Sequence, residues 1–334
     1  MAGERSPNDE RNFFYRKQLD LVRVIKPKIS IIENVPGIQT ATVLSSDAPD
    51  ELSARIDKLW NEIATYKGKK AELRKRNLIT PDFDKLGKDL KNKKNNILKY
   101  LKDNNYLISV MKDIEKRYDK LGYNIYKQVL NSACYGAATK RERIIIVAVR
   151  KDIKIPFIFP EATYSNDYLK IKYPYLYKKG HKYKSAKTVN EALLEIDYTD
   201  NSDIDNQPMN HNEKTIKRFS YIPEGDNIAN HIDELPDDLK ISRFYSRGNT
   251  MRLDGNKPSP TLVPGHSNFP VHPKFNRSIT VREAACITGF PKKYKFFGSH
   301  TKRCEQVGNA VPPPLSYAIA KQTKKLLNQY YSNN

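Results

Sequence analysis

The stretch ISIIENVPG at residues 29–37 decides the fold class. Pro27 lies just before it and disfavours helix at Lys26. The apolar run is short and ends on Glu33 and Asn34, which predicts a buried strand of a parallel sheet in an α/β fold. Ligands bind outside the carboxyl ends of strands in open α/β sheets, so these two residues are candidate site residues.

The elements around this strand continue an α/β pattern. Residues 12–25 predict a helix, because Phe14, Leu21, Val24 and Ile25 recur at near-helical spacing. Further along, three more segments have clear patterns. They are RIIIVAV at 143–149 (a buried strand), TVREAACITG at 280–289 (a helix stopped by Gly289) and PLSYAIAKQTKKLL at 314–327 (an amphipathic helix).

Residues 51–117 differ in composition from the rest of the chain. They hold 18 Lys and Arg against 10 Asp and Glu, a local net charge of +8, with few strand signals. We expect one or two charged helices inserted into the fold. A solvated helical hairpin, a DNA-backbone contact and a subunit contact all remain open for this insertion.

The 334 residues carry a net charge of +21, which favours a polyanionic partner. No apolar run approaches the roughly 18 residues that a membrane span needs, and no signal-peptide pattern opens the chain, so we expect no membrane association. The chain has three cysteines, Cys134, Cys286 and Cys304, without metal-ligand spacing. They predict a reduced cytoplasm and neither a disulfide framework nor a metal site.

Four short motifs follow one another along the chain. They are ENVPG at 33–37, LN at 130–131 with YG at 135–136 and Arg141-x-Arg143, TVREAA at 280–285 running into GFP at 289–291, and GNAVPP at 308–313. Each motif alone is weak, but their order and spacing together resemble the DNA cytosine-5 methyltransferase family. Residues 2–5 and 9–12 also resemble the family segment that follows the nucleophile loop.

The resemblance implies a prokaryotic or phage-encoded enzyme of a restriction-modification system. It would transfer a methyl group from S-adenosylmethionine to C5 of a flipped cytosine in double-stranded DNA. In the family mechanism a thiolate adds to cytosine C6, so that C5 becomes nucleophilic. Electron density then builds toward N3 and O2, where a proton or hydrogen-bond donor lowers the barrier.

The resemblance also assigns the site residues. Glu33 matches the acid at N3, and Arg143 matches the donor to cytosine O2. Arg141 matches a positioning residue, or one bonded to Glu33 or to a phosphate. Asn34 is expected to order the loop around Glu33. The turn Asn309, Ala310 and Val311 is expected to close over the cofactor. The TVREAA helix is expected to be structural, although Arg282 and Glu283 could be a surface ion pair.

Two family segments have no match in this sequence. There is no Phe-x-Gly-x-Gly turn to cradle the cofactor and no Pro-Cys dipeptide to supply the nucleophile. Cys134 lies near residues 135–136, but that stretch is not the nucleophile in the family, and a small buried cysteine is the alternative. We therefore expect the C-terminal portion of a methyltransferase, with the nucleophilic cysteine absent.

The predicted architecture is an incomplete Rossmann-like α/β methyltransferase domain with a smaller, loop-rich, mixed-strand target-recognition lobe. Residues 1–150 would form the partial catalytic domain with the insertion, 151–275 the recognition lobe, and 276–334 the return to the catalytic domain. A sheet without its first strands would expose an apolar edge. We therefore expect poor solubility or marginal stability of the isolated chain.

Three hypotheses remain open from the sequence. The chain is one half of a split methyltransferase completed by a complementary subunit, or an enzyme truncated by a frameshift or a misassigned start. Alternatively, it is a catalytically inactive DNA-binding remnant. The third hypothesis is an unrelated RNA-binding protein, which the lack of a GXXG loop or stacked-aromatic strand disfavours.

Overall fold

The computed structural model describes residues 6–8, 13–45, 47–76, 78–242, 248–265 and 269–332. The chain divides into two compact units. The first contains Met1–Lys127 and Ile146–Lys154, and the second contains Gln128–Ile145 and Ile155–Asn334. The motif-like segments at 2–5 and 9–12 lie outside the described residues.

The first unit combines four helices with short strands. Its elements in chain order are α1 (Phe14–Ile25), β1 (Ile29–Asn34), a 3-10 turn (Pro36–Gln39), β2 (Thr42–Leu44), α2 (Asp50–Lys75), α3 (Pro81–Asp103), β3 (Leu107–Ser109) and α4 (Val110–Lys120). Strands β4 (Tyr123–Asn131) and β5 (Glu142–Arg150) begin or end in this unit and continue into the second.

The principal sheet has three strands in the order β1-β5-β4, so β1 is an edge strand of the described sheet. The end of β5 lies beside the start of β1, because the Arg150 N–H donates to the Lys28 carbonyl at 3.0 Å. Residues 146–150 therefore run antiparallel to β1. The strand predicted at residues 29–34 is confirmed, but its described neighbour is antiparallel, contrary to the parallel sheet we expected. Apolar content predicts burial of a strand, not its direction.

Helix α1 is confirmed at Phe14–Ile25, yet its orientation is unexpected. The apolar residues that predicted it are exposed: Phe14 is 56%, Leu21 61%, Val24 76% and Ile25 68% accessible. The opposite face is buried instead through three other residues. These are Tyr15, Leu19 and Val22.

Helix α1 is held to its neighbours by polar contacts as well as by packing. The Tyr15 hydroxyl donates to the Asp113 carboxylate of α4 at 2.5 Å. Gln18 Nε2 donates to the Ile31 carbonyl of β1 at 3.0 Å. These contacts fix which face of α1 is turned inward.

The predicted insertion contains a two-helix hairpin of α2 and α3. The Thr80 side chain caps α3 by accepting from the Phe83 N–H, and Pro81 occupies the first turn, where its missing N–H costs nothing. The hairpin has its own apolar core, which includes Leu52, Ile56, Leu59, Leu90, Ile97 and Leu101. Strand β3 and helix α4 complete residues 107–117, so the segment is not purely helical.

The second unit is rich in turns. Its helices and short strands are β6 (Tyr164–Ser165), α5 (Asp167–Lys172), β7 (Lys184–Ser185), α6 (Val189–Leu193), α7 (Glu213–Ser220), α8 (Val281–Thr288), α9 (His300–Asn309) and α10 (Pro313–Ser332). Its 3-10 turns are Ser132–Tyr135, Pro174–Leu176, Ile204–Asn206, Ile228–Asn230, Ile232–Glu234, Asp237–Leu239 and Gly248–Thr250.

The main apolar cluster of the second unit surrounds α8. It joins α6, α8 and α9 to the loop residues Leu253, Leu262, Phe269 and Phe296. The predicted helices at 280–289 and 314–327 are confirmed, and Gly289 ends α8 in the left-handed conformation, with φ 88°. The boundaries 1–150, 151–275 and 276–334 stay a prediction.

Candidate active-site elements

Strand β1 carries Glu33 and Asn34 at its carboxyl end, before the turn Pro36–Gln39. The Asn34 Oδ1 accepts from the Val35 backbone N–H at 2.8 Å. This contact fixes the chain path directly after Glu33, whose side chain is partly exposed. An ordering residue would make such a contact, while the catalytic roles of Glu33 and Asn34 stay predictions.

Arg141 and Arg143 stand at the start of β5 in the second unit. They are two positions apart in extended backbone, so their side chains leave the same side of the strand. Both are buried, at 5% and 7% accessible. Arg141 Nη1 donates to the Leu262 carbonyl at 3.1 Å, and Arg143 Nη1 donates to the Glu142 carbonyl at 2.7 Å. A guanidinium group is a donor that can hold a carbonyl or anionic oxygen of a ligand.

The intervening Glu142 is held by other partners. It forms an ion pair with Lys172 at 3.0 Å and accepts a hydrogen bond from the Tyr173 hydroxyl. Asn131 Nδ2 donates to the same Tyr173 oxygen at 2.9 Å. Burial raises the pKa of Glu142, but the bonds from Tyr173 and Lys172 outweigh it and hold the pKa below its usual value. The Glu142 carboxylate therefore remains ionised, held by Lys172 and Tyr173.

Residues 259–265 form a site element that sequence reasoning missed. The Lys140 N–H donates to the Ser259 carbonyl at 2.7 Å, and the Leu262 carbonyl accepts from Arg141. This segment therefore runs alongside the residues that lead into β5 and orients the Arg141 side chain. Its sequence, SPTLVPG, carried only proline and glycine turn signals.

The turn at residues 309–311 is fixed by the same segment. A Cβ added at Gly308 would lie 2.4 Å from the Pro264 Cα, so only glycine permits this approach of helix and loop. Beyond Gly308, Asn309 is exposed, while Ala310 and Val311 are partly buried. In the second unit, Arg141 and the helix end before the 309–311 turn thus both contact the segment 259–265. The roles of Arg141 and of the turn stay predictions.

The TVREAA motif forms a helix start with an internal charge network. Thr280 and Glu283 make a capping box, in which each side chain bonds the backbone N–H of the other. The Glu283 carboxylate is fully buried, receives Arg277 Nη1 and Nη2 at 2.8 and 2.7 Å, and accepts from the Tyr198 hydroxyl at 3.0 Å. Glu283 therefore ties α8 to the loops around it.

Arg282 takes a different partner. It is 6% accessible and contacts Asp203 at 2.6 Å and Asp205 at 3.4 Å. Asp205 in turn contacts Arg303 of α9 at 2.8 Å. The alternative of a surface ion pair between Arg282 and Glu283 is therefore wrong: both are buried, and each is paired elsewhere.

The cysteines are all poor nucleophiles in this structure. Cys134, Cys286 and Cys304 are buried, and desolvation raises the pKa of each thiol to about 11. Cys134 also accepts from the Tyr177 hydroxyl at 3.3 Å. The thiolate is the reactive form of cysteine, so a raised pKa makes these side chains inert.

Two kinds of site are not found in the part of the chain that the structure describes. Within it, no group of three or more His, Cys, Asp or Glu side chains is placed to hold a metal ion. None of the described helices combines the length and the apolar character that a membrane crossing requires.

Comparison with known proteins identifies the family. The model for C-5 cytosine-specific DNA methylase matches residues 86–325. This chain therefore belongs to the C-5 cytosine-specific DNA methylases, as the four motifs predicted.

The relatives cover only part of this chain. It is 29% identical over 219 residues to the type II methyltransferase M1.HphI of Haemophilus parahaemolyticus, covering 64% of this chain and 51% of that protein. It is 31% identical over 223 residues to M.PspPI of a Psychrobacter strain, covering 64% of this chain and 49% of that protein. The chain thus spans about half the length of the curated relatives it matches.

One solved structure aligns over most of the chain. It is a putative DNA modification methyltransferase encoded within an E. coli prophage, at 20% identity and a TM-score of 0.49. The alignment covers 96% of this chain and 75% of that one.

Proposed function

We propose that this chain supplies the base-binding and DNA-recognition parts of a DNA (cytosine-5-)-methyltransferase. The observation that carries the proposal is the buried pair Arg141 and Arg143 on one side of β5, with Arg141 oriented by Leu262. The relatives named above are type II methyltransferases, so we assign the chain to the modification half of a restriction-modification system.

In the proposed reaction Glu33 and Arg143 act on the flipped cytosine. Addition of a thiolate at C6 moves electron density toward N3 and O2 of the base. Glu33, as a carboxylic acid, donates a proton to N3, and Arg143 donates a hydrogen bond to O2. Arg141 is a positioning residue, because its guanidinium already bonds the Leu262 carbonyl. Asn34 holds the backbone after Glu33 in place.

The cofactor would be S-adenosylmethionine, which supplies the methyl group when bound. In this chain Asn309, Ala310 and Val311 fit one wall of its site. The contact between Gly308 and Pro264 fixes this turn, two aliphatic side chains suit an apolar ring face, and the exposed Asn309 amide suits a polar edge. The glycine-rich turn that would cradle the rest has no match in this sequence.

The proposed substrate is double-stranded DNA, read by the turn-rich region at about 151–275. Its Arg, Lys, Asn and Gln side chains are the types that contact base edges and phosphates. The net charge of +21 supplies long-range attraction to the duplex.

We propose that a complementary polypeptide supplies the nucleophile and the rest of the cofactor site. Its docking surface would be the edge strand β1 and the exposed face of α1, which presents Phe14, Leu21 and Ile25. An edge strand offers unpaired backbone groups to another strand, and a run of exposed apolar side chains marks an interaction surface.

The second candidate function is a DNA-binding remnant without catalysis. The three buried, high-pKa cysteines favour it, since none of them can readily act as the nucleophile.

The test is transfer of labelled methyl from S-adenosylmethionine to mixed-sequence duplex DNA. The assay is run with the chain alone and with the product of the reading frame immediately upstream. We expect methyl incorporation into the duplex only when the product of the upstream reading frame is added. Glu33→Gln should lower it by about 10²–10⁴-fold, as for loss of a general acid. Glu51→Gln, on the exposed start of α2, is the matched control and should leave the rate unchanged.

Each other result selects a different conclusion. No incorporation in either reaction, with salt-sensitive DNA binding retained, would establish the remnant. Incorporation by the chain alone would contradict the need for a complementary polypeptide, and Cys134→Ser would then show whether that thiol is the nucleophile.

A further inference from the structure

A basic groove runs between the two helices of the hairpin. Its volume is about 460 Å³. Helix α2 lines one side with Arg55, Lys58, Leu59 and Glu62, and α3 lines the other with Lys93, Asn96, Ile97 and Tyr100. Both sets follow the spacing i, i+3, i+4, i+7, so each helix contributes one continuous face.

The groove has an apolar floor and cationic rims. Leu59 and Ile97 are buried at 8% and 6% accessible, while Arg55, Lys58 and Lys93 are exposed. Glu62 is the one acidic residue among the lining side chains. Within the described parts of the chain, no ion pair joins Arg55, Lys58 or Lys93 to a carboxylate. The three cations are therefore available to an external anion.

Aromatic side chains accompany these cations. Tyr100 lines the groove and is 51% exposed. On the same hairpin, Lys94 Nζ lies 5.7 Å from the centroid of the Trp60 ring. Lys, Arg, Asn and Tyr are the side chains that contact the sugar-phosphate backbone of nucleic acids.

We infer that this groove, called the hairpin groove below, binds the phosphate backbone of DNA outside the catalytic region. The inference rests on the proposed DNA substrate and adds a second contact to it. None of the residues that line the groove is among the proposed catalytic or cofactor-binding residues.

The dimensions are compatible with a nucleic-acid backbone. Residues 55 to 62 of a helix extend about 10 Å. Along the duplex axis each DNA strand carries one phosphate per about 3.4 Å, so about three phosphates face this length. The rims carry three cations. An acidic protein segment is the competing occupant, and the experiment below includes it.

The experiment measures duplex binding by the full chain over a range of KCl concentrations, using fluorescence anisotropy of a labelled 40-base-pair duplex. The groove variant is Arg55→Gln/Lys58→Gln/Lys93→Gln. The slope of log affinity against log salt should fall by about 2 to 3, because each lost phosphate contact removes about 0.9. The affinity at 100 mM KCl should fall at least roughly tenfold.

The matched control removes three charges from the same hairpin. It is Lys69→Gln/Lys85→Gln/Lys88→Gln, at exposed positions that do not line the hairpin groove. Glutamine preserves helix propensity in both variants, and circular dichroism verifies that the hairpin remains helical. A third variant, Glu62→Gln, removes the acidic residue of the groove and should tighten binding about two- to threefold.

The outcomes separate this inference from the proposed function. A reduced slope in the groove variant but not in the control supports it. Equal salt slopes in the unaltered chain, the groove variant and the control variant would overturn it while leaving DNA binding intact. Equal reductions of the slope in the groove variant and the control variant would do the same. Binding of poly-L-glutamate but not of duplex, lost in the groove variant, would overturn it in favour of an acidic protein partner. No binding to either polyanion would overturn both the groove and the DNA substrate.

Discussion

Helices α8 and α1 are both amphipathic, but they differ in what they bury. All eight residues of α8 are buried, including Arg282 and Glu283. Helix α1 buries only Tyr15, Leu19 and Val22 of its 12 residues and exposes four large apolar side chains. The charges of α8 are buried because the chain itself supplies their partners, whereas the apolar face of α1 has no cover among the described residues. The burial of these two helices therefore depends on available partners as well as on hydrophobicity.

The largest expected effect comes from Arg252, which tests whether the second unit depends on such buried polar partners. Its guanidinium is 5% accessible. It donates to the carbonyls of Ile222, His272, Phe275 and Phe219 and to the Asn276 Oδ1. Breaking a buried, fully hydrogen-bonded charge typically costs about 3–5 kcal/mol, so Arg252→Met should lower the free energy of unfolding by about 4 kcal/mol. Urea unfolding measures this loss.

The control for Arg252 is Arg74→Met, on the exposed surface of α2. It should change the free energy of unfolding by less than about 0.5 kcal/mol. If Arg252→Met also changed the free energy of unfolding by less than about 0.5 kcal/mol, the second unit would not depend on this buried charge, and the contrast drawn between α8 and α1 would fail.

The next effect is a dependence of stability on pH at His272. This ring is 4% accessible, and desolvation lowers its pKa to about 4, against the attraction of Glu283. A depressed histidine pKa means that the unfolded chain binds a proton between pH 6.5 and 4 and the folded chain does not. Stability contributed by the neutral ring is therefore present above pH 6.5 and lost as pH falls toward 4, by about 3 kcal/mol.

The measurement is urea unfolding at several pH values between 7 and 4. The variant His272→Gln should remove this part of the pH dependence, whereas His181→Gln, at an exposed position, should keep it. An unchanged pH profile in His272→Gln would mean that the buried ring does not carry the effect.

Two glycines in helices compare the units on a smaller scale. Gly308→Ala would place a Cβ 2.4 Å from the Pro264 backbone, so we expect a loss of about 1–3 kcal/mol. A Cβ added at Gly68 in α2 would meet no heavy atom within 4 Å, so Gly68→Ala should gain about 0.5–1 kcal/mol. Thermal unfolding measures both, and the same sign for the two variants would refute the close contact at Pro264.

The smallest stability effect is expected on α1. The double variant Leu21→Lys/Ile25→Lys alters exposed side chains, so the free energy of unfolding should change by less than about 0.5 kcal/mol per site. The solubility of the isolated chain should rise. Adding the product of the upstream reading frame should no longer produce methyl transfer. Leu19→Ala, at a buried position, should instead cost about 2–4 kcal/mol. Retained complementation in the double variant would exclude this face of α1 as the docking surface.

The sequence predicted the elements better than their surroundings. The strands at β1 and β5 and the helices α1, α8 and α10 were predicted because apolar periodicity and capping residues are local signals. The antiparallel direction of β5 beside β1 was not, since a run such as RIIIVAV fits either direction. The exposed face of α1 was also missed, because periodicity identifies an apolar face without showing what covers it.

The candidate site was only partly predictable. Glu33, Asn34, Arg141 and Arg143 came from short motifs, and their spacing placed both arginines on one side of a strand. The support from residues 259–265 was not predictable, because Leu262 contributes a backbone carbonyl and Pro264 a close backbone contact. Every residue has a backbone carbonyl, so residue identity does not show which carbonyl will accept a hydrogen bond from a distant side chain.

By itself the sequence determined the family, the basic character of the chain and the residues available for chemistry, because these depend on side-chain identity and order. Only the tertiary structure decided that Arg282 and Glu283 take separate buried partners and that the cysteines are desolvated. It also showed that two helices of the insertion enclose the hairpin groove. Each of these properties depends on which distant residues meet, and local sequence signals do not specify contacts between residues far apart in the chain.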